Sequence, residues 1–178
     1  MFYIASTRFN NETYDENMSY RKTHGIPVIY GTSIPIQTKY DLGSIIFVIE
    51  MNNEKNEIEG IGLIRNMLVT DKRYRIYSNN DYNRFIYHGE YWLSRSQLTD
   101  FDSELIEICD NVLFKGKSHL KRKSGISVLT DQLFTNWDYS LIIMKNKIRA
   151  AFLNAFKSAN NNINEINLKK LDNPSLSN

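Results

Sequence analysis

The sequence predicts an α+β fold: a small curved β-sheet or barrel flanked by helices, with an amphipathic helix near the C-terminus. Two observations carry this. Runs of β-branched and aromatic residues separated by polar turns occupy residues 1–95, and apolar residues at helical spacing replace them over 96–159. A chain of 178 residues, 42% apolar and 24% charged, has the size and composition of one domain, burying about two-thirds of its unfolded surface. We therefore expect a single domain over 1–159, β-rich to residue 95 and helical beyond. A flexible tail over 160–178 should follow, where Asn, Lys and Ser dominate and periodicity is lost.

The elements follow in order. Phe2–Thr7 joins aromatic and β-branched residues to small polar ones and reads as a strand entering a loop. Residues 10–24 are polar with scattered Tyr and Met, a loop or short helix that breaks at Gly25 and Pro27. Ile45–Ile49 is continuously apolar, a strand buried on both faces. The polar turn 53–57 joins it to a second strand over 58–66, where Gly60 and Gly62 mark a bulge or bend. Residues 73–77 and 84–93 alternate basic or polar with aromatic residues and predict two further strands, making about five before residue 95.

Leu98, Phe101, Leu105, Ile108 and Leu113 then recur at helical intervals, with Thr99 and Asp102 as N-caps. Over Tyr139–Ala159, Leu141, Met144, Ile148, Phe152, Ala155 and Phe156 form one stripe, expected to pack on the sheet.

Cys109 is the only cysteine, so no intramolecular disulfide can form and a reducing, intracellular compartment, cytoplasm or nucleus, is expected. The first residues lack a basic region and a secretory core, and nowhere do 18 uncharged apolar residues follow one another; neither secretion nor membrane insertion is expected. Abundant Asn, Ile, Lys and Tyr fit an A+T-rich coding sequence, as in some parasites, low-GC bacteria and large DNA viruses.

With a net charge of only +2, attraction to a polyanion must come from local clustering. The cluster is Lys115, Lys117, Lys121, Arg122 and Lys123, with His119 among them, Gly116 and Gly125 near the ends, and Ser118 and Ser124 as further donors. Cationic side chains on closely approaching backbone are what phosphate contacts need. A solvated loop or a nuclear localisation signal are the alternative readings.

Catalytic motifs fail their spacing tests. Gly116-Lys117-Ser118 has Asn111 where a P-loop needs glycine, and Gly60-Ile61-Gly62 lacks the third glycine of a dinucleotide fingerprint. His24, His88 and His119 lie far apart, no carboxylate near Asp41–Glu57 has the lysine of a metal nuclease two residues on, and no Gly-x-Ser-x-Gly occurs. Cys109 falls on an apolar helical stripe as a small hydrophobe. No catalytic residue, metal or cofactor is assigned. The tyrosines at 74, 77, 82, 87 and 91, with Phe85 and Trp92, offer faces on which bases could stack, or core packing.

Three stretches, FYIAST at 2–7, YDLGSIIFVIEMN with IEGIGLI over 40–64, and RFIYHGEYWLSR at 84–95, resemble the PUA-like superfamily, in particular its EVE and YTH domains. The resemblance covers residues 2–95. It implies a small β-barrel with flanking helices that binds RNA or DNA and holds a modified or extruded base. The matching pocket positions would be Ser6 and Thr7, Tyr30 and Gly31, and Trp92. The expected function is thus a nucleic-acid-binding module with a basic loop on phosphates. The alternatives are a structural subunit docking a protein partner through the C-terminal helix, and a nucleic-acid-processing enzyme whose site has no linear motif.

Overall fold

The apolar run Ile45–Asn52 is a strand with every residue buried, so something must cover it on both sides. The computed structural model describes residues 2–115 and 119–157 and shows three layers around that strand. In chain order these are β1 (Phe2–Phe9), α1 (Asn11–His24), β2 (Val28–Thr32), β3 (Ile45–Asn52), β4 (Glu57–Arg65), β5 (Phe85–Gly89), β6 (Tyr91–Ser94), α2 (Arg95–Phe101), α3 (Ser103–Phe114), β7 (Ser127–Val128) and α4 (Leu141–Ala155). Single 3-10 turns sit at Asn80–Asn83 and Asp131–Phe134.

Five strands form a mixed sheet in the order β6-β4-β3-β1-β7, with β3 parallel to β1 and antiparallel to β4. β2 and β5 pair antiparallel in a sheet of their own. The α+β class holds, but the sheet does not close into a barrel. The reason lies in the run 84–93, which is two strands: at Gly89 and Glu90 it turns, so that β5 pairs with β2 while β6 joins the main sheet beside β4.

Alternation along the strands splits the interior in two. Ile45, Phe47, Ile49 and Met51 of β3 and Ile61 and Leu63 of β4 face α2, α3 and α4, which contribute Leu98, Leu105, Ile108, Val112, Met144, Ile148 and Phe152. Ala5, Ile46, Val48 and Ile64 point the other way, against Val28, Ile29, Ile86, Tyr74 and Tyr77. The apolar stripe of the last helix therefore lies in the first core, with Leu141, Met144, Ile148 and Phe152 all buried.

Several expectations are corrected in detail. Residues 11–24 are a full helix, opened by a capping box between Asn10 and Thr13 and closed by Gly25 in the left-handed region at φ 63°. Residues 73–77 form no strand; Asn83 Oδ1 accepts from the backbone N–H of Ile76 and of Tyr77, at 2.9 and 3.0 Å, where a strand partner would stand. The helix expected after residue 96 is two helices meeting at Asp102. Its side chain caps α3 through Leu105 N–H, whereas the Thr99 hydroxyl donates to Arg95 O within α2. Lys117, Gly116, Ser118 and the tail beyond residue 157 lie outside the described residues.

Candidate functional site

Glu50 interrupts the apolar run of β3 and points into the second core with no exposed surface. Its Oε1 accepts from Arg21 Nη2 at 2.6 Å and from the Tyr30 hydroxyl at 2.7 Å, and its Oε2 accepts from Trp92 Nε1 at 3.1 Å. The Arg21 guanidinium lies over the rings of Tyr30 and Trp92, 5.4 and 5.8 Å from their centroids. Burial works against the Arg21 charge, but the adjacent carboxylate outweighs it and the pKa is raised. Burial, then Glu50, pushes the Tyr30 phenol well above its ordinary value.

The two glycines of β4 make the room. A Cβ on Gly62 would stand 2.3 Å from the Tyr30 hydroxyl, and one on Gly60 would stand 2.9 Å from the Trp92 ring. A register shift between Glu50 and Met51 lies beside Gly60, which pairs with Glu50, as a glycine within a strand predicts.

A second polar concentration is open. The C-terminal end of β1, the first turns of α1, the end of β2 and the segment 77–82 surround a cleft of about 550 Å³. Thr7 and Arg8 line it from β1, Glu12, Thr13 and Glu16 from α1, Gly31 and Thr32 from β2 and Ser33 from just beyond it; Tyr77 and Tyr82, with Phe9, supply its aromatic surface. These two rings meet edge to face, 6.0 Å between centroids. The Tyr77 hydroxyl accepts from Asn17 Nδ2 at 2.9 Å, and burial raises its pKa. A Cβ on Gly31 would stand 2.3 Å from the backbone oxygen of Tyr82, so a glycine is what lets the 3-10 turn close over β2. Glu16 Oε1 accepts from Ser78 N–H at 2.8 Å. Asn53 Oδ1 is a buried acceptor at the cleft with no partner among the described residues.

The basic segment forms one wall of this cleft, through Ser124 and Gly125. The Lys121 carbonyl accepts from Arg8 Nη1 and from Asn53 Nδ2, both at 2.9 Å, and Lys121 Nζ donates to Asn56 Oδ1. Lys115 Nζ donates to Asn111 Oδ1 at the end of α3, which takes its charge into a local contact. Arg122 and Lys123 are exposed.

The structure thus brings Thr7 and Gly31 together with the basic segment and separates them from three other expected pocket residues. Tyr30 and Trp92 serve Glu50, and Ser6 is buried in register with Ile49 of β3 and Ser127 of β7. Sequence reasoning flagged Tyr77 and Tyr82 only as two aromatics among several, and it missed Arg8, Glu16, Thr32 and Asn53. Their one shared signal is position: each lies at or near the end of a strand or in the first turns of a helix.

The remaining reactive side chains are dispersed. Cys109 is fully buried and burial pushes its thiol up, as befits a small hydrophobe on α3. His24 stacks on Tyr20, with ring centroids 3.9 Å apart. Among the described residues no three His, Cys, Asp or Glu side chains gather to hold a metal. In comparisons with family models, curated proteins and solved structures, the chain matches none.

Proposed function

We propose that this protein binds single-stranded nucleic acid, taking one base into the cleft between β1, β2 and Tyr77–Tyr82 while the basic segment contacts the adjoining phosphates. The observation that carries it is the adjacency of the two features: Ser124 and Gly125 at the end of the cationic run are also cleft wall. A volume of about 550 Å³ accommodates a base with its sugar. Tyr82, at the mouth, offers a face for stacking, a contribution of about 1–3 kcal/mol per base. The Glu16 carboxylate, an acceptor that lines the cleft, suits the amino and imino donors of a base edge. A single strand is favoured over a duplex because its base reaches a cleft with the smallest unstacking cost.

The docking alternative has less support. The stripe of α4 that would have met a partner is spent in the core, leaving Ile142 and Ile143 as the exposed large apolar residues of that helix.

The test is fluorescence anisotropy with labelled eight-nucleotide RNA and DNA strands at low salt. Wild type should bind with log affinity falling linearly against log salt, and Tyr82→Ala should weaken binding about 5- to 150-fold, the value of one lost stack. Failure of the wild type to bind either strand overturns the proposal.

A further inference from the structure

A second cleft, of about 530 Å³, lies on the other side of the loop that walls the first, and Ser124 lines both. It is bounded by the segment 34–40, by β7 and by the turn 130–133. The two differ in charge. The first contains Glu12 and Glu16 with one arginine, Arg8, whose Nη1 is engaged by the Lys121 carbonyl. The second contains Lys39 and Lys123 and, among the described residues that line it, no carboxylate. Lys39 and Lys123 are both exposed, and Lys39 Nζ stands 5.1 Å from the Tyr40 ring centroid, so a cation and an aromatic face are presented together.

Acceptor-rich and cation-rich clefts on either side of one residue suit different parts of one polymer. Carboxylates repel a phosphate and accept from a base edge; a pair of lysines does the reverse. Between the clefts, Ile34 is half exposed and packs at Gly125, whose φ of 65° keeps the ridge narrow: a Cβ there would lie 2.9 Å from Ile34 Cγ1. A strand crossing at that point passes a low apolar saddle.

We infer that the second cleft is the subsite for the neighbouring nucleotide of the same strand, with Lys39 and Lys123 on its phosphate and Tyr40 beside its base. The inference rests on the single-strand reading of the first cleft and adds to it a minimum ligand length of two nucleotides and a direction of travel across Ser124.

The experiment uses the full chain, the eight-nucleotide strands above and a set of nucleoside monophosphates. Both lysines are surface residues, so Lys39→Ala/Lys123→Ala leaves the fold intact, checked by an unchanged thermal midpoint. The double variant should lower the slope of log affinity against log salt by about 0.7, the value of the one phosphate that the two lysines share. Lys39→Ala alone, which leaves the basic segment whole, should leave monophosphate affinity unchanged, while Tyr82→Ala weakens both classes of ligand. An unchanged slope in the lysine variant, with binding still sensitive to Tyr82→Ala, overturns the second subsite alone. Wild type that binds no strand overturns the base-binding reading and this inference together.

Discussion

Glu50 shows how much one charged residue can organise. In sequence it reads as the polar end of an apolar strand; in the fold it is a fully buried carboxylate with three donors on it, from α1, β2 and β6. A buried pair of this sort is weakly stabilising as a unit but costly to break, because the surviving charge is left without a partner. Glu50→Ala should therefore destabilise the protein by about 3–5 kcal/mol, whereas Arg21→Met combined with Glu50→Leu should cost markedly less than the sum of the two single changes. Tyr30→Phe removes one hydrogen bond to a charged acceptor and should cost about 1.5–3 kcal/mol with nucleic-acid affinity unchanged, since the Tyr30 side chain stays out of the cleft. Urea titrations read the stability changes, and a loss of strand binding in a folded Tyr30→Phe protein would return that residue to the pocket. The sequence could not reveal this cluster: its members sit at positions 21, 30, 50 and 92, and the only local hint was the pair of glycines that clear space for two of the rings.

At the scale of elements, legibility followed the apolar pattern. β3, β4, α3 and α4 bury apolar residues at regular spacing, and the sequence places all four, β4 to within one residue at each end, though not the break at Asp102 before α3 nor the last three residues of β3. The sequence leaves α1 between loop and helix because its only buried residues are Asn17 and Arg21, so it docks through polar contacts and shows no apolar period. Its ends were nonetheless written in the sequence: Asn10 with Thr13, and Gly25. Residues 73–77 have the converse history, alternating like a strand but satisfied by an asparagine side chain in place of a ladder. Since α1 carries Glu12, Thr13 and Glu16 into the cleft, its first turn should couple stability to binding. Asn10→Ala removes the N-cap and one half of the capping box and should cost about 1 kcal/mol. Strand affinity should fall alongside, while Ser140→Ala, which removes the cap of α4 at a similar stability cost, should leave affinity unchanged. Equal effects of the two caps on binding would show that the first turn of α1 has no special part in the site.

At the scale of the whole molecule, the main sheet separates a helical layer that stabilises from a layer of α1, β2, β5 and loops that meets the end of β1 at the first cleft, while the second cleft opens at the β7 edge of the sheet. The choice of strand partners behind this division was not legible. Local pattern predicts a strand but not whether it joins a sheet already formed, and five strands with their glycines fit a curved sheet and a barrel alike. The division predicts that Met144→Ala, in the helical core, costs about 2–5 kcal/mol and leaves the salt slope of binding as it was. The second layer carries a pH signature of its own. Tyr30 and Tyr77 are both buried there, and burial raises both pKa values. In the unfolded chain these phenols ionise near pH 10, while in the folded protein they keep their protons, so above that pH the folded state binds more protons than the unfolded one. Stability is then fully present below about pH 10 and falls as pH rises, by about 1.4 kcal/mol per pH unit for each such phenol until its folded pKa is reached. Urea midpoints measured on either side of pH 10 should show this loss. Tyr77→Phe should flatten it by about 1.4 kcal/mol per pH unit, the share of one phenol, with Tyr14, Tyr20, Tyr30, Tyr74 and Tyr87, whose pKa values burial also raises, carrying the rest; an unaltered slope in that variant would mean that Tyr77 has no part in the alkaline limit.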